Sequence, residues 1–193
     1  VVRIAIPLLI YFVVMFLVVF VLRTIIQKRD TGNSGIRAGV LSSSAGSLEW
    51  VAGWLLVLAL LVGLVAPMAE LAGLEPMTSN PWVRGIGVVI AAGGIALTFV
   101  AQLDMGSEWR IGIDEEETTR LVTDGAFAIV RNPIFSAMVI VAVGMALMIP
   151  NPISIVGVTA LIAAIELQVR YVEEPHLRRL HGASYAGYET RVG

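Results

Sequence analysis

The sequence contains no cysteine, and it carries few charged side chains for a chain of 193 residues. Without cysteine, disulfide bonds and thiolate metal sites are excluded. Charged residues make up 15% of the chain and hydrophobic residues 57%, whereas soluble domains average about 25% charged and about 45–50% apolar residues. The mean hydropathy of +0.85 agrees with this shortage of charge. The composition therefore predicts an integral membrane protein.

Several signatures of soluble enzymes and binding proteins are also missing. The sequence has no P-loop, no G-x-G-x-x-G turn after a strand, and no alternation of strands and helices, which excludes a Rossmann-type dinucleotide site. No basic patch with interleaved aromatic residues indicates a nucleic acid partner. His176 and His181 are five residues apart and would lie on different faces of a helix. We therefore predict no metal site.

Five apolar stretches are long enough, or nearly so, to cross a membrane, which takes about 20 mostly apolar residues. They are Ile4–Leu22, Leu48–Ala66, Trp82–Leu103, Ile134–Ile149 and Ile153–Val172. The first is longer than the core of a signal peptide and lacks a small-residue cleavage site. The last two are separated only by Pro150–Pro152, which predicts a helical hairpin over 133–172. The predicted fold is all-α, a membrane bundle of five transmembrane helices.

The basic residues fall on one side of these five stretches. Eleven of the 13 Lys and Arg residues lie in the loop after the first span, in the loop after the third, or between the end of the fifth and the C-terminus. Only Arg3 and Arg84 lie on the other side. Cytoplasmic loops of membrane proteins are enriched in Lys and Arg. We therefore predict a multi-pass protein of a prokaryotic plasma membrane, with its N-terminus outside and its C-terminus in the cytoplasm.

The chain divides into two parts at the end of the third span. Residues 1–103 contain three spans and a Gly/Ser-rich linker, 30–47, that we predict to be flexible or loosely packed. In the third span, Gly87 and Ala91 are four residues apart, a spacing of small residues that favours close packing of membrane helices. Residues 104–193 contain a long loop, the helical hairpin and a polar tail. The polar motifs that could carry chemistry lie in this second part.

The loop before the fourth span has two recognisable features. Its acidic run, Asp114–Glu117, is typical of a solvated face that starts a helix. Asp124–Gly125 is a turn signal between apolar residues. We expect this loop to fold back onto the membrane surface.

The end of the fifth span carries three charged residues at helical spacing. Glu166, Arg170 and Glu174 are four residues apart in turn, which predicts a ladder of ion pairs on one helix face. Glu166 lies inside the predicted span, where an unpaired carboxylate would be costly, so Arg170 is its expected partner. Pro175 predicts an end or a bend in this helix.

The start of the fourth span combines a favourable and an unfavourable signal. Asn132 is a good N-cap residue, and Pro133 suits the first helical position, where its missing N–H costs no hydrogen bond. Arg131, in contrast, would lie at the positive end of the helix dipole. We therefore predict that Arg131 holds an anion or a carboxylate of the Glu173–Glu174 pair.

Four short motifs follow one another between Leu121 and Tyr188: "LVTDGAFAIVRNPIF", "NPI", "EEPHL" and "GASYAGY". In this order and spacing they resemble the C-terminal motifs of the isoprenylcysteine carboxyl methyltransferase family. The wider superfamily that the motifs resemble also includes phospholipid N-methyltransferases, methanethiol S-methyltransferases and, as distant relatives, sterol reductases. The resemblance covers just over a third of the chain and does not reach its N-terminal half.

The resemblance implies a membrane methyltransferase that uses S-adenosylmethionine and releases S-adenosylhomocysteine, with residues 104–193 as the catalytic region. Its cofactor pocket would face the cytoplasm, formed by the last two spans, the preceding loop and a C-terminal helix. The expected catalytic residues are Arg131 and Glu174. The expected cofactor-binding residues are Leu121, Val122, Gly125, Phe127, Asn132, Pro133, Phe135, Glu173, Tyr185 and Tyr188. No metal ligand is implied.

The methyl acceptor stays open at this point. We expect a lipophilic small molecule that enters from the membrane lipids and offers a carboxylate, such as a prenylcysteine-like group, or else a thiol or an amine. Two other classes of function compete with this interpretation. A small-molecule transporter would need a polar path, for which the sequence offers Glu166, Gln102 and Gln168. A non-catalytic membrane scaffold would keep only the fold. The oligomeric state is not determined by the sequence.

Overall fold

The computed structural model describes residues 17–35, 46–109 and 120–193, together with Ile6, Ile10, Val13 and Val14. About half of the predicted first span, most of the predicted linker and the acidic run of the long loop therefore lie outside the described residues. Within the described part, the regular elements are all helical. The α-helices are α1 (Arg23–Thr31), α2 (Leu48–Leu71), α3 (Pro81–Met105), α4 (Pro133–Met148), α5 (Pro152–Leu167), α6 (Glu174–His181) and α7 (Ala183–Glu189).

Shorter helical segments connect some of these elements. Leu17–Leu22 is π-helical and leads into α1, and Gln168–Glu173 is π-helical and joins α5 to α6. The segment Gly106–Glu108 extends α3 as a 3₁₀ turn, and Gly125–Ala128 forms a second 3₁₀ turn in the loop before α4.

Over the described residues the predicted all-helical membrane fold is confirmed, and part of the predicted span count is supported. In the described part, three helical stretches are long and apolar enough to cross a membrane: Trp50–Leu71, Pro81–Glu108 and Pro152–His181. The apolar helix α4 has only 16 residues. At a rise of 1.5 Å per residue it measures about 24 Å, which covers most of an apolar layer of about 30 Å.

The helix starts follow from the sequence at most positions. Ser47, Asn80 and Asn151 each accept a backbone N–H of the following first turn with their side chains, as N-caps do. The fourth span begins at Pro133, as predicted. Asn132 occupies the N-cap position, but its side chain makes no capping hydrogen bond, so that part of the prediction was wrong. Its backbone ψ of 65° lies far from the extended value of 164° that the capping residue Asn151 adopts.

Close packing of α3 against α4 defines one side of the bundle. A Cβ atom on Gly144 would lie 2.4 Å from the backbone nitrogen of Ala91, and one on Gly87 would lie 2.7 Å from the carbonyl oxygen of Gly144. The predicted role of the small residues in the third span, helix packing, is therefore confirmed. Helix α2 packs along α5, and α5 contacts α4, so the helices are arranged in the order α3, α4, α5 and α2.

The two ends of the bundle differ in chemistry. We call the end where α3 and α5 finish and α2 and α4 begin the site end. There α1 is held to the end of α3: the Arg23 guanidinium lies 4.9 Å from the ring centre of Trp109, and Gln27 Nε2 donates to the carbonyl of Ser107 at 2.7 Å. The opposite end contains a buried ion pair between Glu70 and Arg84, with 3.2 Å between Oε1 and Nη1.

The helix after α5 departs from the predicted ion-pair ladder. Glu166 and Arg170 do pair, with 2.5 Å between Oε2 and Nε, but their side chains are 54% and 68% exposed. Glu174 pairs with Arg131 and Arg178 instead, so the predicted ladder is correct for its first ion pair and wrong for its second. The two oxygens of Glu174 contact Arg131, which the tertiary packing brings close, and Arg178, which lies four residues later. Pro175 lies in the first turn of α6 and does not end the helix. The helix before it is π-helical over Gln168–Glu173.

Candidate functional site

A cleft at the site end of the bundle collects residues from separate parts of the chain. It contains ≈780 Å³ of empty space, including its opening to solvent. Its walls come from the end of α3, the loop before α4, the π-helical segment, α6 and α7. The lining residues are Met105, Glu108, Arg120, Leu121, Val122, Phe127, Arg131, Asn132, Glu173, His176, Leu177, Tyr185 and Tyr188. We call it the tail cleft.

The loop wall of the tail cleft is shaped by the predicted turn at Asp124–Gly125. Gly125 has a φ of +59°, a left-handed conformation that glycine adopts without strain. A Cβ atom there would also lie 2.4 Å from Oδ2 of Asp104, at the end of α3. That oxygen accepts the backbone N–H of Ala126 at 2.8 Å. The turn thereby ties the loop to α3 and places Leu121, Val122 and Phe127 along the cleft.

The tail wall of the cleft is formed by two buried tyrosines of α7. The rings of Tyr185 and Tyr188 are 6.0 Å apart between centres, and both side chains are buried. The Tyr188 hydroxyl donates to the carbonyl of Phe127 at 2.7 Å, which joins the tail to the loop wall. Burial raises the pKa of both tyrosines above its ordinary value, so both stay neutral at physiological pH.

Four charged residues beside the tail cleft form a compact cluster, which we call the charge cluster: Arg131, Glu174, Arg178 and Glu189. Nη1 of Arg131 lies 3.1 Å from Oε1 of Glu174 and 2.9 Å from Oε1 of Glu189. Arg178 contacts the same two carboxylates, at 3.2 Å from Oε2 of Glu174 and through a short hydrogen bond to Glu189. Two cations and two anions thus balance one another at the start of α4.

The charge cluster shifts the ionisation of its members. The hydrogen bond from Arg178 is the main cause that lowers the pKa of the Glu189 carboxyl, and the positive charges of Arg178 and Arg131 lower it further. Glu189 is therefore ionised well into the acidic range, and α7 stays attached to α4 and α6 through it.

A second cavity lies on the interior side of the tail cleft, and we call it the inner cavity. It contains ≈1030 Å³ of empty space, including its opening, and most of its lining is apolar. Its walls are Val19, Phe20, Leu56, Leu60, Gln102, Met105, Trp109, Phe127, Asn132, Pro133, Ile134, Phe135, Met138, Gln168 and Glu173. Four residues line both spaces: Met105, Phe127, Asn132 and Glu173. The two spaces therefore meet at a shared wall.

The residues expected from the sequence are distributed over these features. Those that line the tail cleft are Leu121, Val122, Phe127, Arg131, Asn132, Glu173, Tyr185 and Tyr188. Glu174 does not line the cleft but holds Arg131 from the charge cluster. Pro133 and Phe135 line the inner cavity, and Gly125 supports the loop from behind.

Some residues of the site were not predicted from the sequence. Glu189 is the most important of them, because it contacts both Arg131 and Arg178. Its position four residues after Tyr185 places it on the same face of α7, and this spacing was the available signal. Glu108 and Arg120 carried no such signal, since they are joined across a loop by a hydrogen bond from the Arg120 backbone to Glu108 at 3.2 Å. In the described part of the chain, no group of three metal-ligating side chains occurs.

Comparison with known proteins gives consistent results. Residues 82–184 match the family model described as phospholipid methyltransferase. Protein-S-isoprenylcysteine O-methyltransferase B of Arabidopsis thaliana is 28% identical over 137 residues, which are 70% of this chain and 70% of the relative. A probable protein-S-isoprenylcysteine O-methyltransferase of Oryza sativa subsp. indica is 30% identical over 139 residues, which are 70% of this chain and 72% of the relative.

Proposed function

We propose, since the chain belongs to the phospholipid methyltransferase family, that this membrane methyltransferase transfers a methyl group from S-adenosylmethionine to a lipophilic acceptor at the cytoplasmic face of the membrane. The observation that carries the proposal is the shared wall between the tail cleft and the inner cavity. A cleft whose lining includes the charged residues Glu108, Arg120, Arg131 and Glu173 meets a space whose lining is largely apolar. Such a pair suits a water-soluble methyl donor and a lipophilic methyl acceptor.

The side chains of the tail cleft fit the chemical groups of the cofactor. S-adenosylmethionine carries an ammonium, a carboxylate, an adenine and a cationic sulfonium. The Glu173 carboxylate suits the ammonium, and the Arg131 guanidinium suits the carboxylate because Arg forms planar bidentate pairs. The rings of Phe127, Tyr185 and Tyr188 suit the adenine. These side chains therefore complement the charged and aromatic groups of the cofactor.

Methyl transfer mainly requires that the protein position the two reactants and exclude water. When bound, the cofactor supplies a methyl group on an electrophilic sulfonium. The chain has to align the acceptor with that methyl group and keep water away. The buried tyrosines of α7 close the tail side, and Met105, Phe127 and Asn132 separate the two spaces. A carboxylate acceptor needs no base, whereas a thiol or amine must lose a proton.

The charge distribution supports a cytoplasmic site end. Among the Lys and Arg residues that the structure describes, Arg84 lies at the opposite end of the bundle and the others lie at the site end. Loops on the cytoplasmic side of membrane proteins are enriched in such residues. Glu166, which a transporter would need along an internal polar path, lies instead on the outside of α5 with 54% of its side chain exposed.

Binding of S-adenosylhomocysteine to the detergent-purified protein, measured by calorimetry, tests the cofactor assignment. We expect saturable binding, and transfer of a radiolabelled methyl group to at least one of three acceptor classes: prenylcysteines, lipid extracts and small thiols. Absence of binding at millimolar cofactor would overturn the proposal.

Arg131 is the residue whose change should affect this reaction most. We expect Arg131→Ala to abolish methyl transfer, because it removes the cation between Glu174 and Glu189 at the edge of the cleft. Arg131→Lys keeps the charge and separates loss of bidentate geometry from loss of charge. Arg191→Ala, an exposed arginine of the same tail, is the matched control. A folded Arg131→Ala protein with full activity would contradict the assignment.

A further inference from the structure

The buried amide of Gln102 lies among the mostly apolar residues that line the inner cavity. Gln102 lies in α3, and only 2% of its surface is exposed. Its Nε2 donates to the backbone carbonyl of Val19 at 2.9 Å. Its Oε1 is buried, and no hydrogen-bond donor from the described residues reaches it. Gln102 is one of the residues that line the inner cavity, so its amide lies beside the space where the proposed function places the methyl acceptor.

The orientation of the Gln102 amide is fixed by its neighbour. If the amide were reversed, Oε1 would face the carbonyl oxygen of Val19, and two acceptors would oppose each other. The oxygen therefore stays on the side where no donor from the described part of the chain reaches it. A buried acceptor that lacks a donor is destabilising, and such atoms in native proteins call for an explanation.

Gln102 lies close to the shared wall between the two spaces. Met105, which borders both the inner cavity and the tail cleft, follows three residues later in the same helix. Residues three apart are neighbours on a helix surface, so Gln102 lies one turn from the wall across which the methyl group would pass. The Val19 carbonyl that holds Gln102 belongs to the π-helical turn Leu17–Leu22, which also supplies Phe20 to the cavity. Single π-helical turns are frequent at functional sites.

We infer that Gln102 determines acceptor specificity: its Oε1 accepts a hydrogen bond from an N–H or O–H group that the lipophilic acceptor carries beside its reacting atom. The inference rests on the proposed function and adds to it the chemical class of the acceptor. The acceptor has an apolar tail that fits walls such as Leu56, Leu60 and Met138, and a donor group at its polar end. A tail that ends in a reacting group without a neighbouring donor would leave Oε1 unsatisfied.

A matched pair of acceptors tests this assignment. N-acetyl-S-farnesylcysteine carries an amide N–H next to its carboxylate, and S-farnesyl-3-thiopropionate has the same tail and carboxylate without the amide. For the wild-type protein we expect a KM about tenfold lower for the amide, the scale of one hydrogen bond to a buried acceptor, with a similar kcat. Gln102→Leu should remove this preference by raising KM for the amide alone.

Gln27→Leu is the matched control for the loss of a buried glutamine. Gln27 is also buried, its Nε2 also donates to a backbone carbonyl, and its Oε1 also lacks a donor among the described residues, but it does not line the inner cavity. We expect Gln27→Leu to keep the preference for the amide, even if it lowers stability. A preference lost equally in both variants would assign the effect to general loosening and overturn the inference.

Failure of this inference is distinguishable from failure of the proposed function. Binding of S-adenosylhomocysteine by calorimetry tests the function without any acceptor. If the cofactor product binds and the wild-type protein treats the two farnesyl compounds alike, the role of Gln102 is overturned and the function stands. The same holds if Gln102→Leu keeps the wild-type preference, or if neither compound is bound by a protein that binds the cofactor product.

Discussion

Glu189 connects the C-terminal helix to the rest of the site. Its carboxylate accepts hydrogen bonds from Arg131 at the start of α4 and from Arg178 in α6. Arg131 would be unfavourable at the positive end of the α4 dipole, and the carboxylates of Glu174 and Glu189 offset this charge. A single carboxylate thereby links three helices at the edge of the tail cleft.

The contribution of Glu189 to stability should depend on pH. The pKa of its carboxyl is lowered below the ordinary value of 4.5. The stabilisation is therefore complete above about pH 4.5, and it is lost as the pH falls through the lowered pKa, because protonation then removes the ion pairs. We expect Glu189→Gln to lower the thermal unfolding midpoint at pH 7, with the difference from wild type shrinking towards zero in the acidic range. Circular dichroism in detergent at a series of pH values measures this.

Glu75→Gln is a suitable control for the pH experiment, because Glu75 is exposed at the opposite end of the bundle. It should leave the unfolding midpoint close to wild type at every pH. A difference between Glu189→Gln and wild type that stays constant from pH 7 into the acidic range would show that the ion pairs are not its source.

The pairing of α3 with α4 shows how helical elements position the site. Glycines of the two helices let their backbones approach so closely that an added Cβ atom would meet backbone atoms within 3 Å. This pairing places the start of α4, with Arg131 just before it, beside the end of α3. The tail cleft depends on that proximity, because its lining includes Met105 and Glu108 from the α3 side.

Filling the α3–α4 interface should therefore destabilise the protein. In Gly144→Leu the new side chain would overlap the backbone of Ala91, which cannot move independently of α3. Overpacking of this kind costs roughly 1–3 kcal/mol, and occasionally more. We expect a clearly lower thermal midpoint for Gly144→Leu. Gly93→Leu, where an added Cβ has nothing within 4 Å, should leave the midpoint almost unchanged. Equal midpoints for the two variants would contradict the interface described.

The two ends of the bundle differ in role. The site end contains the proposed reaction site, and the opposite end contains contacts that hold the helices together. At the opposite end from the site, Glu70 is fully buried and pairs with Arg84, and Asn151 in the hairpin tip donates to the carbonyl of Ala66 in α2. These contacts join α2, α3 and the α4–α5 hairpin. They lie away from both the tail cleft and the inner cavity, so they stabilise the bundle without taking part in the proposed reaction.

Breaking the buried ion pair should affect stability and not cofactor affinity. Glu70→Leu leaves Arg84 buried without its carboxylate, which typically costs roughly 3–5 kcal/mol. We expect a large drop in thermal midpoint, substantial recovery in the double variant Glu70→Leu/Arg84→Leu, and unchanged calorimetric affinity for S-adenosylhomocysteine in any variant that stays folded. A weaker affinity in the folded double variant would show that the two ends are coupled.

Much of the architecture followed from local patterns in the sequence. Long apolar runs predicted membrane helices, Pro133 marked the start of α4, and the small residues of the third span predicted close packing. These signals depend on residues that are neighbours along the chain. The ladder prediction failed for the same reason, since it could not include Arg131, a residue distant along the chain that contacts Glu174.

The sequence by itself determined that this protein is an all-helical membrane methyltransferase of a known family, and which segment carries its polar motifs. Only the tertiary structure decided that Glu174 and Glu189 are the carboxylates held by Arg131, and that Gln102 borders the inner cavity. Arg131 and Glu189 are 58 residues apart, and Gln102 and Val19 are 83 residues apart. Contacts over such distances depend on how helices pack against one another, and the helical period of the sequence does not encode that packing.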